Sequence, residues 1–424
     1  MPDGSATAHL YRPKLLTLAG ENYTQESFRS DVAAALTVAI VALPLSMAIA
    51  VASGVPPERG LYAAIVGGFI VSALGGSRFQ IGGPAGAFIV LVSATVDRFG
   101  IDGLLLTVLL SGLFLTAAGF LRLGALIRYI PHAVTVGFTC GIALTIFASQ
   151  LKELVGVNVA GGGLGPLAWK LSALPNIDAC ALAIGVMTAS VIFALQRWRP
   201  NWPAMLIAVV ACTCAAAILR LPVETIGSRF GEIPSHLPLP SLPNHSLSSI
   251  LDVLPSALSF TLLGGIESLL SAKIADGMTG RKHRYNMELV AQGVANLASA
   301  LFGGICVTGT IARTATNIRA GARSPLSGIM HSGFLCMFLL FAAPLTRFVP
   351  LAALGGVLVV VSWNMIEKGL LVALLRNWRS ALVLGVTFGL TMVINLTIGI
   401  LAGCFASIVL QSEKSALASA RCKD

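Results

Sequence analysis

Glu267 lies in the run Leu262–Leu263–Gly264–Gly265–Ile266–Glu267–Ser268–Leu269–Leu270, and it is the only acid deep inside a clearly apolar stretch. An ionisable group at the centre of such a stretch costs roughly 2.5–3.5 kcal/mol on insertion scales, so its presence points to function. A carboxyl that can take up and release a proton there suits ion coupling; the structural alternative is a partner for Lys273 or Arg313. Ser268 and Ser271 are near enough to extend a hydrogen-bond network around it, although serine is also common glue between membrane helices. Arg313 is the one Arg inside an apparent short span. It can offset the charge of a bound anion, pair with Glu267, or support a loop at a wetter depth. His331 is expected to hydrogen-bond locally.

Two glycine-rich breaks stand at corresponding places in the two halves of the chain. Gly82–Gly83–Pro84 precedes Ala85, Gly86 and Ala87; Gly303–Gly304 through Gly309 precedes Thr310, Ile311, Ala312 and Arg313. Proline suits the first turn of a helix. The small residues after Pro84 would leave backbone N–H groups open, and Thr308 or Thr310 could cap the second helix. A helix N-terminus offers free donors and partial positive charge. Two such ends facing each other make an anion site that needs few charged side chains. Ordinary glycine-mediated helix packing is the alternative.

Other chemistries find no support. Gly161–Gly162–Gly163 and Leu164–Gly165–Pro166 lack the Lys-Ser/Thr ending of a nucleotide loop. No HExxH, GxSxG or paired-acid motif is present, so neither catalysis nor a metal or cofactor is expected. The eight Cys match neither a zinc site nor a redox pair, and read as small core residues.

The elements that must hold these residues follow from composition. Hydrophobic residues make up 56% of the 424 and charged ones 11%, against roughly 25% charged in soluble domains. Lipid must therefore be the solvent for much of the chain, and helices the element that spans it. No cleavable signal peptide is visible in the polar first 30 residues. Segments are expected at 32–52, 60–75, 84–97, 103–121, 131–151, 178–196 and 202–220, then at 250–275, 286–303, 310–321, 326–347, 350–366, 380–396 and 398–412. This gives a cytoplasmic segment 1–30, a first transmembrane repeat 31–220, an extracytoplasmic connection 221–249, a second repeat 250–412 and a cytoplasmic stub 413–424. The net charge of +10 sits at alternate connections, as at Arg122 and Arg128, Arg197 and Arg199, Arg281–Arg284, and Lys368–Arg379. That positive-inside pattern puts both termini in the cytoplasm and removes nucleic acid as a reason for the charge. Seven segments per half invert the second half relative to the first. The short third and tenth segments are the sequence pointer to a transport site.

Val41–Ala42–Leu43–Pro44, Ser53–Gly54–Val55, Gly60–Leu61–Tyr62, Gly75–Gly76–Ser77 and Gly82–Gly83–Pro84 together resemble the first-half signature of the SulP anion transporter family. Glu267–Ser268–Leu269–Leu270, Asn286 with Glu288–Leu289, Gly309–Thr310–Ile311–Ala312–Arg313–Thr314 and Asn317–Ile318–Arg319–Ala320–Gly321 are similar to its eighth to tenth helices. The resemblance runs from about Asp31 to Gln411. It implies an all-α polytopic membrane protein of about 14 segments in two inverted repeats of seven, divided into core and gate domains. It also implies an anion site between the third and tenth half-helices, formed by Ser46, Ile49, Ala85, Gly86, Ala87, Thr310, Ile311, Ala312 and Arg313, with Glu267 at the family's acidic ion-coupling position and Ser271 beside it. Ile311–Ala312–Arg313 and Trp363–Asn364–Met365 look most like bacterial sulfate and C4-dicarboxylate members. Ala85 and Ile49 replace bulkier or polar pocket residues of other members, which bears on the anion chosen. Members usually continue into a soluble STAS domain, for which Ser412–Asp424 is far too short.

The expected function is secondary active transport of a small anion of the sulfate, C4-dicarboxylate or bicarbonate class, coupled to a proton or sodium, by alternating access across the inner (plasma) membrane. A homodimer is compatible with this. An uncoupled anion channel or exchanger on the same fold, and a nucleobase permease of similar architecture, are the alternatives.

Overall fold

The computed structural model describes residues 11–21, 23–125, 131–155, 178–200, 202–243, 247–393 and 396–421. Residues 394–395 of the thirteenth expected segment lie outside the described residues; over the described ones each of the fourteen segments falls on a helix, the third and fourth sharing one. In the first half these are α1 (Gln25–Ala52), α2 (Pro57–Tyr62) running through a π turn (Ala63–Gly67) into α3 (Gly68–Leu74), α4 (Ile89–Phe120), α5 (His132–Val155), α6 (Ala179–Trp198) and α7 (Ala204–Ile218). After the short α8 (Ile226–Phe230) come α9 (Leu247–Thr279), α10 (Tyr285–Leu301), α11 (Ile311–Arg319), α12 (Leu326–Ala342), α13 (Leu351–Met365), α14 (Lys368–Leu375), α15 (Trp378–Val393) and α16 (Leu396–Arg421). Among the described residues six helices are individually long and apolar enough to cross a membrane, and α13 with α14 forms a bent pair that passes the same test.

Four details depart from expectation. The third and fourth segments form one helix, α4, broken at Gly100, whose φ of 71° and ψ of −173° interrupt it. The 221–249 connection is not plain loop: Thr225 and Ser228 form a reciprocal capping box on α8, and Thr225 bridges to Pro350. Lys368–Leu375, read as part of a basic connection, is helical. The stub beyond 412 continues α16 to Arg421.

Small residues let the helices approach. A Cβ on Gly112 or Gly293 would lie within 3 Å of the opposing backbone of α10 or α4, a contact available only where side chains are minimal. The helices fall into two sets: α4 packs on α9 and α10, and α12 on α1 and α3; α5 packs on α13 and α15, and α6 on α7 and α13. Contacts of α1 with α13 and α7 join the sets. At one end of α1, buried Asp31 accepts from the Arg323 and Ser324 N–H groups at 2.6 and 3.1 Å, and from Ser324 Oγ and Tyr23 OH at 2.5 and 2.7 Å. Ser30 Oγ adds a bond to Gly321 O at 2.6 Å.

Between α3 and α4 and between α10 and α11 the chain is extended. β1 (Gly82–Gly83) pairs antiparallel with β2 (Thr308–Gly309), Gly82 opposite Gly309 and Gly83 opposite Thr308. A Cβ on Gly309 would lie 1.3 Å from Gln80 Nε2, and Gln80 is tied to Ser268 O and Oγ at 3.0 and 2.9 Å. Gly309→Ala should therefore destabilise the protein by about 1–3 kcal/mol through overpacking. Thermal melts of the purified single variant and of Gly309→Ala with Gln80→Ala test this: the second change should recover part of the loss, and strict additivity would show the clash is not with Gln80.

Candidate functional site

The two broken segments carry buried non-helical backbone, which side chains must satisfy. α10 supplies one row of them. Glu288, Gln292, Asn296 and Ser299 recur at helical spacing and are all buried. Glu288 Oε2 accepts from Ser77 N–H at 2.8 Å. Asn296 Oδ1 accepts from Val307 N–H at 2.9 Å, and its Nδ2 donates to Val307 O at 2.8 Å. Gln292 Nε2 donates to the same carbonyl, while its Oε1 accepts from Ser268 Oγ at 3.1 Å. Ser299 Oγ donates to Ile305 O at 2.7 Å. α11 supplies a second row that holds the other strand. Thr310 N–H donates to Ile81 O at 3.1 Å, Thr314 Oγ1 accepts from Ile81 N–H at 3.2 Å, and Asn317 Nδ2 donates to Phe79 O at 3.0 Å.

Two helical N-termini leave this junction. Ala85 precedes a 3-10 turn, Gly86–Phe88, that enters α4; Thr310 precedes α11. The first N–H groups of each have no carbonyl of their own helix to meet. Ala85 and Ala87 are buried, Gly86 and Ile311 half-buried and Ala312 exposed. The expected capping by threonine does not occur. Thr310 Oγ1 donates to Ile81 O at 3.3 Å, and Thr308 Oγ1 to Gly264 O at 3.3 Å. The Thr310 hydroxyl thus adds to the bond its own N–H makes to the extended Ile81 carbonyl, and the Thr308 hydroxyl ties β2 to a carbonyl of α9.

Arg313 is 1% exposed and stands beneath the strands. Its Nη2 donates to Ser46 Oγ at 3.0 Å and to Pro84 O at 3.3 Å, and Ser46 Oγ passes the chain on to Ala42 O at 2.6 Å. Its Nε and Nη1 are buried without hydrogen-bond partners. A Cβ on Gly83 would lie 2.0 Å from Nη1, so the strand and the guanidinium fit only with glycine there. Among the described residues no ion pair joins Arg313 to Glu267. The bond from Arg313 to the Pro84 carbonyl is the loop support that the sequence offered as an alternative, made here by a buried side chain.

Glu267 sits one turn beyond Gly264, the carbonyl that Thr308 engages on β2. Its Oε2 is buried without a hydrogen-bond partner. Ser271 Oγ donates to Thr314 Oγ1 at 3.3 Å, so it braces α11 while facing the same junction. Ile49 is buried in the main apolar cluster, one turn beyond Ser46. The structure thus gathers Ser46, Pro84, Arg313, the two N-termini and α9 around the strand pair. His331 differs from expectation: it is fully buried and neither ring nitrogen has a hydrogen-bond partner. Gln292, Asn296 and Ser299 on α10 and Gln80 were missed, and Glu288 entered only through the family resemblance; the spacing of 288, 292, 296 and 299 in an apolar helix was the available signal.

Known proteins share this arrangement of chain. Residues 28–386 match the sulfate permease family. A putative sulfate transporter of Bacillus subtilis (strain 168), YvdB, is 39% identical over 394 residues, covering 92% of this chain and 74% of that protein. The bicarbonate transporter BicA of Picosynechococcus is 31% identical over 404 residues, covering 92% of this chain and 71% of that one. The solved transmembrane domain of a cyanobacterial BicA superposes with a TM-score of 0.78 at 29% identity, covering 90% of this chain and 97% of that domain. SLC26A9 has the same fold, with a TM-score of 0.87 at 18% identity over 97% of this chain and 69% of that one.

Asn296→Ala would leave Val307 N–H buried without its acceptor, at a cost of about 1–3 kcal/mol. A lower melting temperature for Asn296→Ala than for Ala295→Gly, a neighbouring helix-propensity control, is the expected result. Equal melting would mean the strand finds another partner.

Proposed function

Because the chain belongs to the sulfate permease family and is a multi-pass anion transporter, we propose that it is a secondary active transporter whose anion binds at the β1–β2 junction. The observation that carries this reading is Arg313: a guanidinium 1% exposed, with two unpartnered donor nitrogens, beside two helical N-termini. An unmatched buried charge destabilises a protein unless something else completes it. A small oxyanion would do so through charge-assisted bonds to Arg313 and bonds to the N–H groups of Ala85, Gly86, Ala87, Ile311 and Ala312. Ser46 holds the guanidinium in place from the side. The substrate class is sulfate, C4-dicarboxylate or bicarbonate, which are the anions of the relatives' names and of the family resemblance.

Glu267 is the coupling residue in this reading. Its unpartnered Oε2 faces the same junction from α9, where a proton or sodium ion would offset its charge. The set α1–α4 with α9–α12 is the core domain that carries the site, and α5–α7 with α13–α16 the gate domain. Alternating access is movement of one set against the other. The local two-fold of the antiparallel strand pair, with one half-helix leaving each strand, supports two inverted repeats of seven. Basic connections at alternate ends support cytoplasmic termini in the inner membrane.

Uptake of radiolabelled sulfate, bicarbonate and succinate into proteoliposomes, with imposed proton or sodium gradients, tests the reading; no anion responding to either gradient would overturn coupled transport. Arg313→Leu should lower uptake at least tenfold, a loss of about 1.4 kcal/mol in binding. Because it removes an uncompensated buried charge, it should leave the melting temperature of the anion-free protein unchanged or raised. Glu267→Gln should keep anion counterflow and lose acceleration by the driving-ion gradient. Gradient-driven uptake at the wild-type level would assign coupling elsewhere.

A further inference from the structure

A cavity of about 510 Å³ opens between α5, α6 and α13, away from the strand junction. Ala143 and Phe147 of α5, Phe193 of α6, Val359 and Trp363 of α13, and Ile366 just beyond it line the cavity, and its wall is almost wholly apolar. The volume falls within the range of small-molecule pockets, about 300–1,000 Å³. Leu144, Phe147, Phe193 and Trp363 of its wall are exposed, so it is an open recess in the apolar outer surface and holds a chain differently from a smooth helix face.

The rim has a different character. Lys368 Nζ stands 3.8 Å from the centroid of the Trp363 ring. α6 and α13 run side by side in one direction: a Cβ on Gly185 would meet Ala352 O at 3.2 Å, and one on Gly356 would meet Gly185 O at 2.6 Å and Thr188 at 3.0 Å. Carried about two turns further, that register sets Arg197 level with Trp363–Asn364. Arg197 also follows the cavity-lining Phe193 by four residues, which places both on one helix face. α14 bends away from α13 by 42° and buries none of its residues. The stretches 193–199 and 363–379 carry Arg197, Arg199, Lys368, Arg376 and Arg379 against the single acid Glu367. The four described tryptophans, Trp198, Trp202, Trp363 and Trp378, lie at or just beyond these helix ends, each more than half exposed. Tryptophan and basic residues together mark the headgroup level of a bilayer.

We propose that this recess is a site for an anionic phospholipid, with an acyl chain in the cavity and the phosphate between Lys368 and Arg197. The apolar wall accounts for the chain, and the five-to-one excess of cations for the preference over a zwitterionic headgroup. The site is separate from the anion-transport reading, since no residue of the strand junction lines it.

Trp363 provides the reporter. With the other four tryptophans of the sequence, Trp169, Trp198, Trp202 and Trp378, replaced by Phe, the protein is reconstituted with brominated phosphatidylglycerol or brominated phosphatidylcholine at equal mole fraction. Trp363 fluorescence should be quenched at least threefold more efficiently by the glycerol lipid. Lys368→Gln with Arg197→Gln should equalise the two lipids, and Ala143→Leu, which fills the recess, should weaken quenching by both. Equal quenching in the reporter protein, or a preference that survives loss of both cations, overturns the proposal. So does absence of quenching by either lipid with cross-linking across this face, which would assign the face to a second copy of the chain. If the reporter does not fold, mass spectrometry of the native-tryptophan protein gives the same comparison. Retention of phosphatidylglycerol over phosphatidylcholine, lost in Lys368→Gln with Arg197→Gln, is expected; equal retention overturns the site.

Discussion

Everything around the junction depends on two residues pairing with two others. Gly82–Gly83 and Thr308–Gly309 are 225 or more residues apart in the chain, yet each strand closes the other's backbone where lipid cannot. Four ladder residues cannot satisfy all the extended backbone on either side. The remainder is taken by Asn296, Gln292 and Ser299 on α10 and by Thr310, Thr314 and Asn317 on α11. Removing the strands would therefore leave two rows of buried polar side chains without partners, as well as two broken helices. The polar residues and the break are one requirement expressed at two places in the sequence.

The apolar segments were legible because the bilayer imposes length and composition on each of them separately. All fourteen fall on helices, and Gly100 marks where the third and fourth join. The glycine breaks were legible too, since only glycine tolerates the approach seen at Gly83 and Gly309. What those breaks pair with was not, because strand partners of two residues leave no periodicity. Threonine at 308 and 310 suggested caps; the hydroxyls go instead to Gly264 O on α9 and to Ile81 O beside β1, partners set by the tertiary pairing of the two breaks. Glu267 and Arg313 were identified by type and depth, but their lack of a mutual ion pair depends on tertiary placement. His331 was expected to bond locally, and no local helix rule could reveal a ring buried without partners.

Glycine does two unrelated jobs in this molecule. On α4 and α10, Gly112, Gly119 and Gly293 bring helix backbones together, replacing the hydrophobic drive that lipid removes. At Gly83 and Gly309 the missing side chains make room for Arg313 Nη1 and Gln80 Nε2. The first use sets how the bundle packs, and the second sets what fits at its centre. A sequence count of glycine merges the two.

α1 is fastened to the region of α11 at two heights. Ser30 and Asp31 grip Gly321, Arg323 and Ser324 at one end, and Ser46 meets Arg313 further along. The fastenings are about 22 Å apart along a helix of 1.5 Å rise per residue. Pro44, the weak point of α1, lies between them. A rod pinned once can pivot; pinned twice against the same body, it must break one fastening to slide or swing. The interval of α1 that contains Pro44 is therefore tied at both ends to the same body, and the helix carries that proline without a free end on either side of it.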